Sequence, residues 1–169
     1  MKVGILSDTH GYLDDRILHF LEPCDEIWHG GDIGSAEVTD RLAALKPLRA
    51  VYGNIDGGIL RKSFPENNFF EVSGVAVLIT HIVGRALSYD LRVRELIQLH
   101  KPKVLVCGHS HILKVAFDKK NDLLYVNPGA AGTHGFHKMR TLIRMDIENG
   151  TVVNAEVVEL GPRSNLALY

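Results

Sequence analysis

Cysteine is scarce in this chain. Its two copies, Cys24 and Cys107, stand far apart and outside any Cys-x-x-Cys spacing, so there is no disulfide framework and no thiolate zinc motif. Cys107 follows the apolar run Val104 to Val106 and reads as a core thiol. Long hydrophobic runs are missing too; none approaches the roughly 20 residues of a membrane span. No block of Lys and Arg appears, and nineteen basic against twenty acidic residues leave a formal charge of −1. Duplex nucleic acid is therefore not expected as a partner. The N-terminus opens directly on a strand, Lys2 to Ser7, without the apolar core and cleavage site of a secretory signal. A cytoplasmic protein with no membrane partner is the expectation.

What the chain does have is a 46% hydrophobic fraction and nine histidines. Its 169 residues suit one domain, 1–169, with a substantial core. Lys2 to Ser7, Glu26 to His29 and Leu48 to Tyr52 read as strands. Between them, Asp14 to Leu21 and Ala36 to Lys46 carry apolar residues at helical spacing, the latter with Ser35 as N-cap. Strand alternating with helix implies parallel pairing through crossovers. The second half changes character. Phe69 to Val72 and Val75 to Thr80 flank a Ser73-Gly74 turn, and Ser88 to His100 reads as a helix. Ile112 to Phe117 and Leu123 to Val126 follow, and Asn149-Gly150 joins a last hairpin of Thr141 to Ile147 with Val152 to Leu160. These antiparallel strands suggest a second sheet facing the first. The fold expected is α/β (α+β mixed): two packed mixed β-sheets flanked by helices, in a single domain.

Metal-type donors fall at the ends of the apolar runs: Asp8 and His10, Asp32, Asn54, His81, and the pair His109 and His111. Taken singly, each has an ordinary explanation as a turn residue, a cap or a buried histidine. Five strand ends each presenting such a donor favour a site, because open α/β sheets place theirs at strand C-termini. Carboxylate, amide and imidazole without thiolate suit Mn2+, Fe or Zn2+. Seven donors exceed the need of one ion, and two ions sharing a carboxylate would use them. Asp32, midway among the donors, is the candidate bridge.

Asp8-x-His10, Gly31-Asp32, Gly53-Asn54, His81 and Gly108-His109-x-His111 resemble, in order, the motif series of the calcineurin-like metallophosphoesterases. Asn127-Pro128-Gly129 is similar to a late turn of their compact prokaryotic phosphodiesterase branch. The resemblance implies a metallophosphoesterase β-sandwich. It also implies a hydrolase acting on phosphoric ester bonds, a phosphodiesterase more than a general monoesterase, that would hydrolyse a small phosphoester by attack of a metal-bound hydroxide at a dinuclear site. Asp8, His10, Asp32 and His111 would hold one divalent ion, and Asp32, Asn54, His81 and His109 the other. Mn2+ is the first choice of ion, with Fe, Zn2+ or Ni2+ as alternatives. Asn54 would also meet the substrate phosphate. A homo-oligomer is compatible with this branch.

Two positions depart from that series. Many members carry a histidine after the Gly-Asn pair, as a proton donor to the leaving group. Here Ile55 stands there, with Asp56 beside it as the second catalytic candidate after Asn54. His81 is followed by Ile82 where the branch has glycine; Gly84 is the nearby substitute. His134 and His137 would replace the missing donor if their loop folds over the site, though surface positions are the simpler reading. Arg140 reads equally as a phosphate contact or a strand-end residue, and His29 as a residue backing the ligands. An alternative function is a metal-binding interaction scaffold, resembling the retromer small subunit, with little catalysis.

Overall fold

Alternating inward and outward side chains build this molecule as two sheets, back to back. The computed structural model describes residues 1–164, so the last five residues of the expected 1–169 domain lie outside the described residues. The first sheet contains β1 (Lys2–Leu6), β2 (Glu26–His29) and β3 (Leu48–Ala50), all parallel. Helices α1 (Asp15–Leu21) and α2 (Ala36–Leu45) supply the crossovers. A short α3 (Gly58–Ser63) follows, whose glycine start and single full turn or so leave no apolar periodicity to mark it in the sequence. The second sheet has the order β4 (Asn67–Val72), β5 (Val75–Thr80), β6 (Val104–Val106), β8 (Leu123–Asn127), β7 (Lys114–Asp118), with α4 (Leu91–His100) between β5 and β6.

The last hairpin, β9 (Met139–Glu148) and β10 (Thr151–Pro162), corrects the expected division of the chain. It does not join the facing sheet. β9 pairs antiparallel with β1, with Val3 opposite Met145, which completes the first sheet as β10-β9-β1-β2-β3. The pairing places Ile143, Met145 and Ile147 beside Val3, Ile5 and Trp28 in the layer between the sheets. Leu142, Val158 and Leu160 instead share the outer layer with Ile17, Leu21 and Leu42. On the second sheet, Val77, Ile79, Val104 and Val106 point inward, while Leu78 and Leu105 pack outward with Val93 and Ile97 of α4. This two-residue alternation fixes register, since a slip by one would expose a whole face.

Local signals settle the turns. Ser73-Gly74 and Asn149-Gly150 both take positive φ at each residue, 48° and 78°, then 49° and 76°, as tight hairpin turns of that hand require. α4 begins at Leu91 rather than Ser88. Tyr89 has positive φ, and the Asp90 carboxylate caps the helix by accepting from Val93 N at 2.8 Å. Ser35 precedes α2 without a side-chain capping bond.

Candidate metal centre

Parallel strands deliver their following loops to one end of the sandwich. β1 leads to Asp8 and His10, β2 to Asp32 and β3 to Asn54. In the facing sheet β5 leads to His81, and β6 to His109 and His111. The candidate donors thus come from both sheets and meet where the sheets' C-terminal ends converge.

They gather in two groups. In the first, His111 Nε2 lies 3.2 Å from Asp8 Oδ1 and 3.3 Å from His10 Nε2. In the second, His81 Nε2 lies 3.2 Å from both Asp32 Oδ1 and Asn54 Oδ1, and His109 Nδ1 lies 2.9 Å from Asn54 Oδ1. The remaining oxygen of Asp32, Oδ2, faces His10 Nε2 at 3.7 Å. One carboxylate therefore presents an oxygen to each group. Ligands about 2.0–2.2 Å from a common transition metal ion stand roughly 3.0–3.5 Å from one another, so the spacing and the N/O donor set fit divalent ions. Cys107, buried nearby, gives its thiol to the Tyr125 hydroxyl at 3.1 Å, and burial pushes its pKa up to about 12. It is no thiolate ligand.

The backbone here is strained. Asp8, His10, Asp32, His109 and His111 all have positive φ, between 49° and 67°. A left-handed conformation costs an ordinary residue about 1–2 kcal/mol, and such strain collects at functional sites when surrounding structure enforces it. Cross-loop hydrogen bonds enforce it here. Asp8 N donates to Gly31 O at 3.0 Å, His10 N to Asp32 O at 3.0 Å, and Gly108 N to His81 O at 3.1 Å. Gly108 is needed for space and not for a left-handed bend. The positive φ values fall on the histidines, whereas a side chain on Gly108 would strike Ser7 and come within 2.7 Å of Asp8 Oδ2. Its role is close approach.

Protons are fixed by the neighbours of these rings. His81 Nδ1 donates to Gly30 O at 2.8 Å, leaving Nε2 for the cluster. Burial disfavours the charged His81 ring, yet Asp32 and Asp8 together hold its pKa above the ordinary value. Burial likewise opposes ionised Asp32, and the His81 hydrogen bond and charge hold that carboxyl below its usual range. His10 is held below the ordinary imidazole value, chiefly by burial. His29 backs both groups. Its Nδ1 accepts from Gly31 N at 3.1 Å and its Nε2 donates to Thr9 Oγ1 at 3.0 Å. Complete burial drives its pKa down to about 4, so it is neutral.

Asp56 is 3% exposed and turned toward backbone. Its Oδ2 accepts from Ile33 N at 3.0 Å and Gly53 N at 2.8 Å, and its Oδ1 from Gly34 N at 2.8 Å. It ties the loop after β2 to the loop after β3. Arg140 is also structural in its contacts: both terminal nitrogens reach Asp14 Oδ2, at 2.9 and 2.8 Å, and one reaches Leu160 O.

The loop between β8 and β9 packs against the first group, with His134 exposed, in keeping with a surface position, and His137 half-buried. The His134 ring lies 4.8 Å from that of His10, and the His137 ring 5.3 Å from that of His111. His137 Nε2 donates to Gly132 O at 3.0 Å. Beside this loop a cavity of about 500 Å³ opens over His10, Asp32, Asn54, His109 and His111. A cleft of similar volume, about 510 Å³, lies between Val75, Val115, Phe117, Leu124 and Val152. Among the described residues it carries no metal-type cluster.

A two-sheet α/β sandwich with a double imidazole–carboxylate centre at its strand ends is the class of protein defined so far. The family model for the calcineurin-like phosphoesterase superfamily domain matches residues 1–150, and the chain belongs to that superfamily. A phosphodiesterase from Methanocaldococcus jannaschii is 29% identical over 146 residues, covering 76% of this chain and 83% of the relative. The solved structure of an archaeal phosphodiesterase superposes with a TM-score of 0.73 at 25% identity, covering 94% of this chain and all of the other. The zinc complex of Vps29 from Entamoeba histolytica gives a TM-score of 0.71 at 16% identity, covering 95% and 100%. At that identity the likeness is one of fold.

Proposed function

We propose that this chain is a metal-dependent phosphodiesterase acting on a small phosphoester. The observation that carries the reading is the Asp32 carboxylate, with Oδ1 in one donor group and Oδ2 facing the other. Asp8, His10, Asp32 and His111 would hold one divalent ion; Asp32, Asn54, His81 and His109 would hold a second. Mn2+ is the ion we favour, with Fe, Zn2+ and Ni2+ as alternatives. Such ions acidify water and offset the charge that builds on phosphoryl oxygens during in-line displacement.

The protein's own part is to place and orient. With Asn54 Oδ1 turned to His81 and His109, the amide nitrogen is the donor left for a phosphoryl oxygen. Asp56 acts as a positioning residue, because its two oxygens are taken by three backbone donors and its proton-transfer capacity faces away from the cavity. Asp8 receives the His109 backbone N–H on both oxygens at 3.1 Å, which links the ligand loop of one sheet to that of the other. Two buried free cysteines accord with a cytoplasmic setting.

The test is metal content and turnover together. Protein stripped by chelation and reloaded with excess Mn2+ is expected to hold two ions per chain and to hydrolyse bis(p-nitrophenyl) phosphate, and chelation should abolish that activity. One ion per chain would sink the dinuclear reading. Two ions without turnover would move the chain to the scaffold alternative.

A further inference from the structure

The cavity over the donor groups has a polar floor and an apolar mouth. Ile55, Ile112 and Phe136 line it along with the candidate ligands, and they are 49%, 65% and 103% exposed. Single exposed apolar side chains are ordinary. Three drawn from three loops around one polar cavity form a patch, and patches of this kind mark binding surfaces. No lysine or arginine lines this cavity itself; Arg61 and Arg92 line the neighbouring pocket beyond Asn54, and Arg85 and Lys114 the one beyond His109 and Ile112.

The three residues stand on the loops that carry the donors or pack against them. Ile55 N donates to Asp32 Oδ1 at 3.1 Å, and Ile112 directly follows His111. Phe136 stands between His134 and His137, whose rings pack on those of His10 and His111. Their position relative to a phosphoryl group on the floor is thus set by these same loops.

We infer that Ile55, Ile112 and Phe136 form an apolar seat for the alcohol portion of the substrate, and that the preferred substrates are phosphoesters of aryl or similarly apolar alcohols. This rests on the phosphodiesterase reading above and narrows it. In the reaction, a water oxygen forms the new bond to phosphorus and one water proton passes to solvent. The bond from phosphorus to the aryl oxygen breaks, and its electron pair leaves on the aryloxide. An aryloxide is a weak base that can depart unprotonated and collect its proton from solvent afterwards. That suits a mouth where Ile55 offers no proton, since acid assistance matters most for strongly basic leaving groups.

The test compares phenylphosphonate with methylphosphonate, which resist hydrolysis and differ only in the apolar group. Calorimetric titration into Mn2+-loaded protein should show phenylphosphonate binding about tenfold more tightly, as partial burial of one ring face predicts. In an Ile112→Ser/Phe136→Ser variant the two affinities should converge to within about twofold, with hydrolysis of methyl phenyl phosphate slowed through a raised KM at unchanged kcat. Both substituted side chains are exposed, so the thermal midpoint should be unchanged. Equal affinities in the unmodified protein would overturn the seat, and if bis(p-nitrophenyl) phosphate were still hydrolysed the phosphodiesterase reading would stand. If neither phosphonate bound and nothing were hydrolysed, both would fall together.

Discussion

The two donor groups share one composition, a carboxylate with two imidazoles, and differ in shelter. Asp8, His10 and His111 sit beside the His134–His137 loop, with Asp8 fully buried. In the other group Asp32 and His81 are buried, but His109 and Asn54 are exposed. Under the proposed two-ion reading, the more buried group would suit retention of an ion, and the more exposed group exchange of ligands with solvent or substrate. Asp32 is where the two meet, so perturbations can be aimed at one group, the other or the shared carboxylate.

The largest effect is expected at the shared point. Asp32→Asn should lower activity by more than about 100-fold, beyond the 10–100-fold typical when a ligand's supporting partner is removed. Asparagine tolerates the positive φ found there, so the backbone should persist. Elemental analysis should show ions depleted from both groups, whereas His109→Ala should deplete only one. Near-normal activity with two ions retained would end the assignment of Asp32 as the bridge.

His29 lies under both groups, bonded to Thr9 on one side and Gly31 on the other, and it makes the comparison depend on pH. Its folded pKa, about 4, is below the ordinary value, so between roughly pH 6.5 and 4 the unfolded chain binds a proton that the folded chain refuses. Stability is full above that window and falls with pH through it, by up to about 3 kcal/mol for this one ring. Urea denaturation of metal-free protein from pH 7.5 to 4 should therefore show a shallower acid loss in His29→Gln. Parallel slopes for the two proteins would remove His29 as the source.

The smallest effect should fall on the more exposed group alone. Asp56→Asn replaces an acceptor with an amide that cannot accept from all three backbone donors, at a cost of about 1–3 kcal/mol for the buried N–H left unpaired. Loss of the tie between the loops at Ile33–Gly34 and Gly53 should weaken the ion near Asn54 and spare the one near Asp8. Calorimetric metal titration separates the two, and equal weakening of both would contradict this division.

Much of the candidate donor set was legible because most of the apolar runs stop at a glycine or carboxylate, the run before His81 being the exception at Thr80, and strand length is a local signal. The turns at Ser73-Gly74 and Asn149-Gly150 were legible for the same reason. Pairing was not. That β9 chooses β1 depends on contacts such as Val3 with Met145, more than a hundred residues apart, and nothing in the hairpin itself names its partner. The packing of the His134–His137 loop was hidden likewise, since a glycine-rich loop with two histidines has no periodicity to show which way it folds. Asp56 reads as a catalytic candidate from sequence only because it stands beside Ile55, at the place of the missing proton donor. Its actual partners are amides of two loops, and these emerge only when the fold brings them within reach.

A last consequence concerns how this chain is fastened. Its two cysteines are free and buried, and no covalent bridge spans the sheets. Asp8 and His111 stand on opposite sheets, roughly a hundred residues apart in sequence, yet 3.2 Å separates their donor atoms. An ion seated between them would act as a reversible cross-link closing a loop of that length. In the chain-entropy description, a closure so long removes about 4–5 kcal/mol of freedom from the unfolded chain. The same donors that serve chemistry would then make the melting temperature a gauge of ambient metal, since an ion that binds the folded form in preference to the unfolded one stabilises it by mass action.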